Sequence, residues 1–86
     1  MKLKKEFITH ESGTESFLVP AGNAPFAGLV RGNRTMGVML ELLKQETTEQ
    51  NIVAAMTARF DAPEEAIRTD VKKLLDELRR IQALDE

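Results

Sequence analysis

Residues 64–81 have the sequence EEAIRTDVKKLLDELRRI, which carries the clearest structural signal in the chain. Five apolar side chains recur there at intervals of four, three, four and three residues: Ile67, Val71, Leu74, Leu78 and Ile81. Because an α-helix makes one turn in 3.6 residues, this spacing places all five on one helical face. The stretch predicts a long amphipathic helix over about residues 63–83, and Asp61 and Glu64 are predicted to cap its first turn.

Two shorter helices are predicted before this long one. The first spans about residues 34–44, and Asn33 is its N-cap because an Asn side chain can accept a hydrogen bond from a free amide of the first turn. The second spans about residues 48–60, where Thr47 and Gln50 have the spacing of a capping box. Three consecutive amphipathic helices therefore fill the last two-thirds of the chain.

The first two helices also contain residues that suggest specific contacts. Gly37 is unfavourable inside a helix by roughly 1 kcal/mol relative to Ala, so it indicates a close packing contact. Three methionines lie on the apolar helical faces, which favours core filling over an adaptable binding surface: Met36, Met39 and Met56.

The segment before the helices has the pattern of short β-strands. Apolar, β-prone runs at residues 7–9, 16–19 and 26–31 are separated by turn-forming residues, including the glycines and prolines of residues 20–25. This pattern predicts three antiparallel strands within about residues 6–31. The predicted fold class is α+β, winged helix-turn-helix-like, with an N-terminal three-stranded antiparallel sheet followed by three helices in a single domain, residues 1–86.

Composition argues against several functional classes. The 86 residues include 12 Lys and Arg against 14 Asp and Glu, a formal charge of −2, whereas nucleic-acid binders need positive charge to displace counterions from phosphates. There is no cysteine, and no stretch approaches the ~20 apolar residues of a membrane span. We therefore expect a cytoplasmic protein that binds neither nucleic acid nor membrane.

The sequence lacks the usual parts of an active site. His10 is the only histidine, and without a convergent partner it is expected to be a surface residue near a strand end. The glycines match neither phosphate-binding loop pattern, and no carboxylate pair is supported by a second ligand or base. We expect no enzyme activity, no metal and no cofactor.

One feature with binding potential remains, the strand predicted at residues 26–31 beside the long helix. An unpaired strand edge can take up an extended peptide as an additional strand. The same strand can equally be an ordinary wing covered by the helices. Physical reasoning alone leaves both interpretations open.

A family resemblance bears on this choice. The motifs that carry it are FAGLVRGN at 26–33, ELL at 41–43, ETTE at 46–49, FDAPEE at 60–65, DV at 70–71, LL at 74–75 and LR at 78–79. In this order and spacing they resemble the PqqD family, the small proteins of pyrroloquinoline quinone biosynthesis and, more broadly, the recognition elements for ribosomally made, modified peptides. The resemblance covers nearly the whole chain.

The resemblance implies a function and a site. Members hold the leader of a precursor peptide as an added strand beside the third helix, and act as a chaperone that presents the peptide to a modifying enzyme, often a radical S-adenosylmethionine (radical SAM) enzyme. By position, the residues expected to pair through their main chain are Ala27, Gly28, Leu29, Val30 and Arg31. The residues expected to contribute side-chain contacts are Asp70, Lys73, Leu74 and Glu77.

Three positions depart from the family pattern. Gly32 replaces a common apolar residue and is expected to loosen the junction between the third strand and the first helix. Leu40 replaces a frequent aromatic residue, which suggests a repacked core, and Gln82 replaces a common glycine, which puts the C-terminal turn in question. Two rival functions stay open, a winged-helix DNA-binding regulator and a structural subunit of a larger complex. The oligomeric state, monomer or homodimer, is open as well.

Overall fold

The computed structural model describes residues 1–22 and 28–86. Strands come first, then three helices and a short final strand: β1 Lys2–Leu3, β2 Phe7–Ser12, β3 Glu15–Pro20, β4 Val30–Asn33, α1 Arg34–Leu42, α2 Glu49–Arg59, α3 Glu64–Arg80 and β5 Leu84–Asp85. The predicted α+β arrangement of a three-stranded antiparallel sheet followed by three helices is confirmed. The short pair β1 and β5, which joins the two ends of the chain, was not predicted.

The three-stranded sheet has the order β2-β3-β4, so that β3 is central and the other two strands are its edges. β2 and β3 form a hairpin in which Ser12 faces Glu15 across a two-residue turn. Gly13 opens this turn with a φ of 63°, a left-handed conformation that glycine adopts without steric cost. On the other side of β3, Leu18 faces Val30 and Glu15 faces Asn33.

The position of β4 corrects the predicted third strand at residues 26–31. The strand begins at Val30 and continues to Asn33, while Gly28 and Leu29 precede it outside any strand. Gly28 has a φ of 147°, which interrupts the extended run, and the pairing with β3 carries the strand on to Asn33. The predicted strand residues Phe26 and Ala27 lie outside the described residues.

Helix caps were predicted with mixed success. Asn33 caps α1 as expected, because its side chain accepts a hydrogen bond from the Met36 amide at 3.0 Å. The Thr47 and Gln50 capping box is wrong by one residue: Thr48 caps α2 by accepting from the Asn51 amide, since it is Thr48 that has the extended backbone.

The cap predicted for α3 is also wrong. Pro63 is the N-cap and makes no side-chain capping bond, so Asp61 and Glu64 do not form the expected pair. Glu64 instead pairs with Arg68 one turn later, at 2.7 Å. The helix ends at Arg80 rather than near residue 83.

The core lies between the sheet and the helices. The predicted apolar face of α3 is buried along its whole length, together with Leu75. Gly37 makes the predicted close contact, because a Cβ placed there would clash with the Ser16 side-chain oxygen on β3. A side chain at this position would therefore push α1 away from the sheet. None of the helices in the described ranges is both long and apolar enough to span a bilayer.

Candidate functional site

The free edge of β4 follows from the hydrogen-bond alternation across the sheet. Ala21 donates to the Glu6 carbonyl at 2.7 Å, which makes this a hydrogen-bonded pair at the end of the β2–β3 ladder. Because bonded and non-bonded pairs alternate in antiparallel strands, Ser16 and Leu18 turn their backbone groups toward β4. Their partners Gly32 and Val30 therefore bond inward. The N–H and C=O of Arg31 point away from β3, toward an edge that pairs with no strand of residues 1–22 and 28–86.

A hollow of about 390 Å³ runs along this edge, between β4, α1 and α3. We call it the β4 groove. It is lined by Val30, Arg31, Asn33, Thr35, Met36, Met39, Asp70, Lys73, Leu74 and Glu77. All four side-chain candidates predicted on α3 lie in this lining, as do two of the five predicted main-chain residues. Gly28 and Leu29 precede the groove without lining it, and Ala27 lies outside the described residues.

The α3 wall of the β4 groove follows directly from helical geometry. Asp70, Lys73, Leu74 and Glu77 are separated by three, one and three residues, so they share one side of the helix. Leu74 is buried at the base, whereas Asp70 and Lys73 are exposed above it. The wall therefore combines an apolar base with a charged rim.

The opposite wall comes from α1, and sequence reasoning missed it. Met36 and Met39 line the groove, although the apolar pattern of α1 assigned both to the core. Met39 is buried as expected, but Met36 is only partly buried. Periodicity does not distinguish a side chain that faces a neighbouring helix from one that faces a gap between elements, so the sequence carries no signal for this wall.

Gly32 does not leave a gap beside β4. A Cβ built on Gly32 would lie 2.5 Å from the Met36 sulfur, so the thioether occupies the space that a side chain would need. The expected loosening between β4 and α1 is therefore wrong, because Met36 fills the junction. The long, unbranched side chain of methionine adapts well to such an irregular space.

The charges around the β4 groove are only partly neutralised. Arg31 pairs with Glu15 on β3 at 3.2 Å. Glu77 accepts a hydrogen bond from Arg80, which holds the pKa of the Glu77 carboxyl below its ordinary value, while slight burial opposes the shift. Within the described ranges, Asp70 and Lys73 form no ion pair. One carboxylate and one ammonium group are thus available to a ligand.

No catalytic arrangement accompanies the groove in the part of the chain that the structure describes. His10 is exposed on β2, with its ring centroid 6.3 Å from that of Phe17. The described residues contain no group of three or more His, Cys, Asp or Glu side chains placed to hold a metal ion. The chemistry available here is binding by backbone hydrogen bonds, apolar contact and two charges.

Comparisons with known proteins identify the family and the fold of the chain. The family PqqD, described as Coenzyme PQQ synthesis protein D, matches residues 27–84, and this confirms the resemblance read from the motifs. No curated protein sequence matches the chain. A solved structure entitled "TbiB1 in Complex with the TbiA(beta) Leader Peptide" has the same fold, with a TM-score of 0.78 and 16% sequence identity over 99% of this chain and 95% of that one.

Proposed function

This chain belongs to the PqqD family, and on that premise we propose that it is a non-catalytic adaptor that captures the leader of a ribosomally made precursor peptide. The leader binds as an additional strand along β4, in the groove between this strand and α3. The adaptor then presents the rest of the peptide to a modifying enzyme, for which a radical SAM enzyme is the expected class. The structural match to a protein solved with a leader peptide supports the proposal.

The observation that carries the proposal is the open edge of β4 with apolar side chains beneath it. Arg31 has an outward N–H and an outward C=O, so an extended peptide can exchange two hydrogen bonds with this one residue. Leu29 precedes the strand and is exposed, so its side chain is accessible to a peptide bound at this end of β4. The backbone bonds supply affinity that does not depend on the peptide's sequence.

Selectivity comes from the side chains of the β4 groove. In an added strand, alternate residues point to the same side, so every second leader residue faces the groove. An apolar leader side chain fits between Met36, Met39 and Leu74. The leader residues two positions before and after it face the same side, so they meet Asp70 and Lys73. We therefore propose a leader with an apolar anchor flanked by charged residues of both signs.

An amide NMR titration tests this function. The labelled protein is titrated with the leader of a short precursor peptide encoded beside its gene, and with a scrambled peptide of identical composition. Capture at β4 predicts shifts at residues 28–36 and 70–77 for the leader, and much weaker shifts for the scrambled peptide. Shifts confined to other surfaces, or none at high peptide excess, would contradict the proposal and favour a purely structural subunit.

A further inference from the structure

A second hollow, of about 810 Å³, lies at the opposite side of the sheet. We call it the lysine hollow. Its lining comes from β1, the turn that follows it, the first half of β2 and two further residues: Lys2, Leu3, Lys4, Lys5, Glu6, Phe7, Ile8, Thr9, Lys44 and Asp85. It shares no residue with the β4 groove, because β2 and β4 are the two separate edges of the sheet.

The lysine hollow is positive although the chain as a whole has a formal charge of −2. Four lysines line it against the carboxylates of Glu6 and Asp85. Among the described residues, Lys44 forms an ion pair with Glu41 at 3.0 Å, and Lys2 lies opposite Asp85 in the β1–β5 pair without forming an ion pair. Lys4 and Lys5 form no ion pair either.

The cations of α3 provide a contrast. Arg68 pairs with Glu64 at 2.7 Å, and Lys72 pairs with Asp76 at 3.1 Å. On that helix, every described cation except Lys73 is paired with a carboxylate of the protein. The unpaired ammonium groups of the lysine hollow are instead available to a binding partner.

An apolar surface adjoins these lysines. Ile8 is 54% exposed and lies directly opposite Val19, which is 36% exposed, on the outer face of the sheet. An exposed apolar patch with a polar rim is a common mark of a protein contact surface. A nucleic acid fits this surface poorly. Its phosphates would extend past the lysines to the rest of the protein surface, where the negative net charge repels them. The exposed side chains of Ile8 and Val19 also offer no favourable contact to phosphates.

We infer that the lysine hollow is a second docking surface, which binds an acidic, partly apolar segment on the surface of a partner protein. This inference rests on the proposed function in one respect: we identify the partner as the enzyme that modifies the captured peptide. Because the two surfaces lie on opposite sheet edges, the protein binds leader and enzyme at the same time. Opposite charge on the partner speeds association and fixes its orientation.

The test uses a short synthetic peptide of alternating Glu and Leu, with a Gln and Leu peptide as the uncharged control. Amide shifts are expected at residues 2–9 and 44 for the acidic peptide, and they should weaken as salt is added. A triple variant, Lys2→Gln, Lys4→Gln and Lys5→Gln, should weaken binding by about tenfold or more. Circular dichroism checks that the variant is folded.

A matched variant removes the same charge from other surfaces: Arg34→Gln, Arg59→Gln and Lys72→Gln. It should bind the acidic peptide nearly as well as the unmodified protein. Equal weakening by both triple variants would overturn the inference, since binding would then follow net charge alone. Tighter binding of a duplex DNA of matched charge to the lysine hollow would overturn the assignment to a protein partner.

Leader titration separates this inference from the proposed function. The lysine triple variant should bind the leader with unchanged affinity, and a saturating leader should leave the acidic-peptide affinity unchanged. If the acidic peptide binds the lysine hollow while the leader fails to bind β4, the adaptor function falls and the docking surface stands. If a saturating leader displaces the acidic peptide, the inference of two independent surfaces is wrong.

Discussion

The two edges of the sheet have similar backbones and different surroundings. On β4 the outward groups of Arg31 lie above an apolar base built from α1 and α3, with a rim of mixed charge. On β2 the alternation leaves the groups of Thr9 pointing outward, next to lysines and an exposed isoleucine. A free strand edge alone therefore does not determine which ligand binds. The elements packed beside it decide which ligand it favours.

The largest expected effect comes from removing the outward amide of β4. Arg31→Pro deletes the N–H that faces the leader, and it should weaken leader binding by about tenfold to a hundredfold, the cost of one lost buried hydrogen bond. Arg31→Ala is the control for the side chain and should cost much less. Calorimetric titration measures both. Val30→Pro should instead destabilise the sheet, because the Val30 amide bonds inward to β3. Equal affinity of Arg31→Pro and Arg31→Ala would contradict main-chain pairing.

Gly37 on α1 packs against Ser16 on the central strand β3, so it holds close to the sheet the helix that forms one wall of the β4 groove. Gly37→Ala forces a methyl group against the Ser16 oxygen and should lower the free energy of unfolding by about 1–3 kcal/mol, as overpacked cores do. In an uncrowded helix the same change would be stabilising by roughly 1 kcal/mol. In urea denaturation, the change in unfolding free energy is therefore negative if Gly37 is crowded and positive if it is not. A stabilised variant would show that the contact is not tight.

The turn at Gln82 supports the other edge, because it leads into β5, which pairs with β1 beside Lys2. Gln82 has a φ of 60°, and the amide of Ala83 donates to the Leu78 carbonyl at 2.8 Å, which closes the end of α3. A left-handed residue other than glycine costs about 1 kcal/mol or more. Gln82→Gly should raise the unfolding free energy by about that amount. An unchanged thermal midpoint would mean that the turn carries no strain.

Charge reversal at each edge should have separate effects. Lys73→Glu should change leader affinity by up to about fivefold and leave the acidic-peptide affinity unaltered, since exposed charges contribute about 1 kcal/mol or less. Lys5→Glu should do the reverse. Parallel NMR titrations of the two variants with the two peptides measure this. Loss of both affinities in either variant would contradict independent surfaces.

The smallest effect concerns the rim of the β4 groove. Arg80→Gln removes the hydrogen bond that lowers the pKa of Glu77, so the pKa should rise toward the ordinary value of a carboxyl. In the unmodified protein, the lowered pKa contributes stability above the unfolded-state pKa that is lost as the pH falls through the folded-state value. Carboxyl NMR against pH follows the shift. An unchanged pKa would show that Arg80 does not hold Glu77 in solution.

Local patterns predicted much of the fold. The face of α3, the hairpin of β2 and β3, and the N-cap at Asn33 each depend on residues close in sequence, where period and cap chemistry act directly. β4 was misplaced because its extent depends on pairing with a distant strand and on the conformation of Gly28. The β1 and β5 pair has two residues on each side, too few for a periodic signal.

Only the α3 wall of the β4 groove could be predicted from the sequence. The family resemblance gave Asp70, Lys73, Leu74 and Glu77 on α3, and the structure brings them together beside Arg31. The contribution of α1 was missed because its methionines fit a core pattern equally well. Gly32 was misjudged for a related reason, since the side chain that fills its space comes from Met36, one turn into the next element.

Amide hydrogen exchange at the two edges tests the central claim most directly. Exchange is followed by NMR for Arg31 on β4 and for Thr9 on β2, with and without the leader peptide. If the leader pairs with β4, exchange of the Arg31 amide should slow by at least about tenfold, and exchange of the Thr9 amide should stay the same. Slowed exchange at Thr9 with no change at Arg31 would contradict the account and place the leader on the opposite edge.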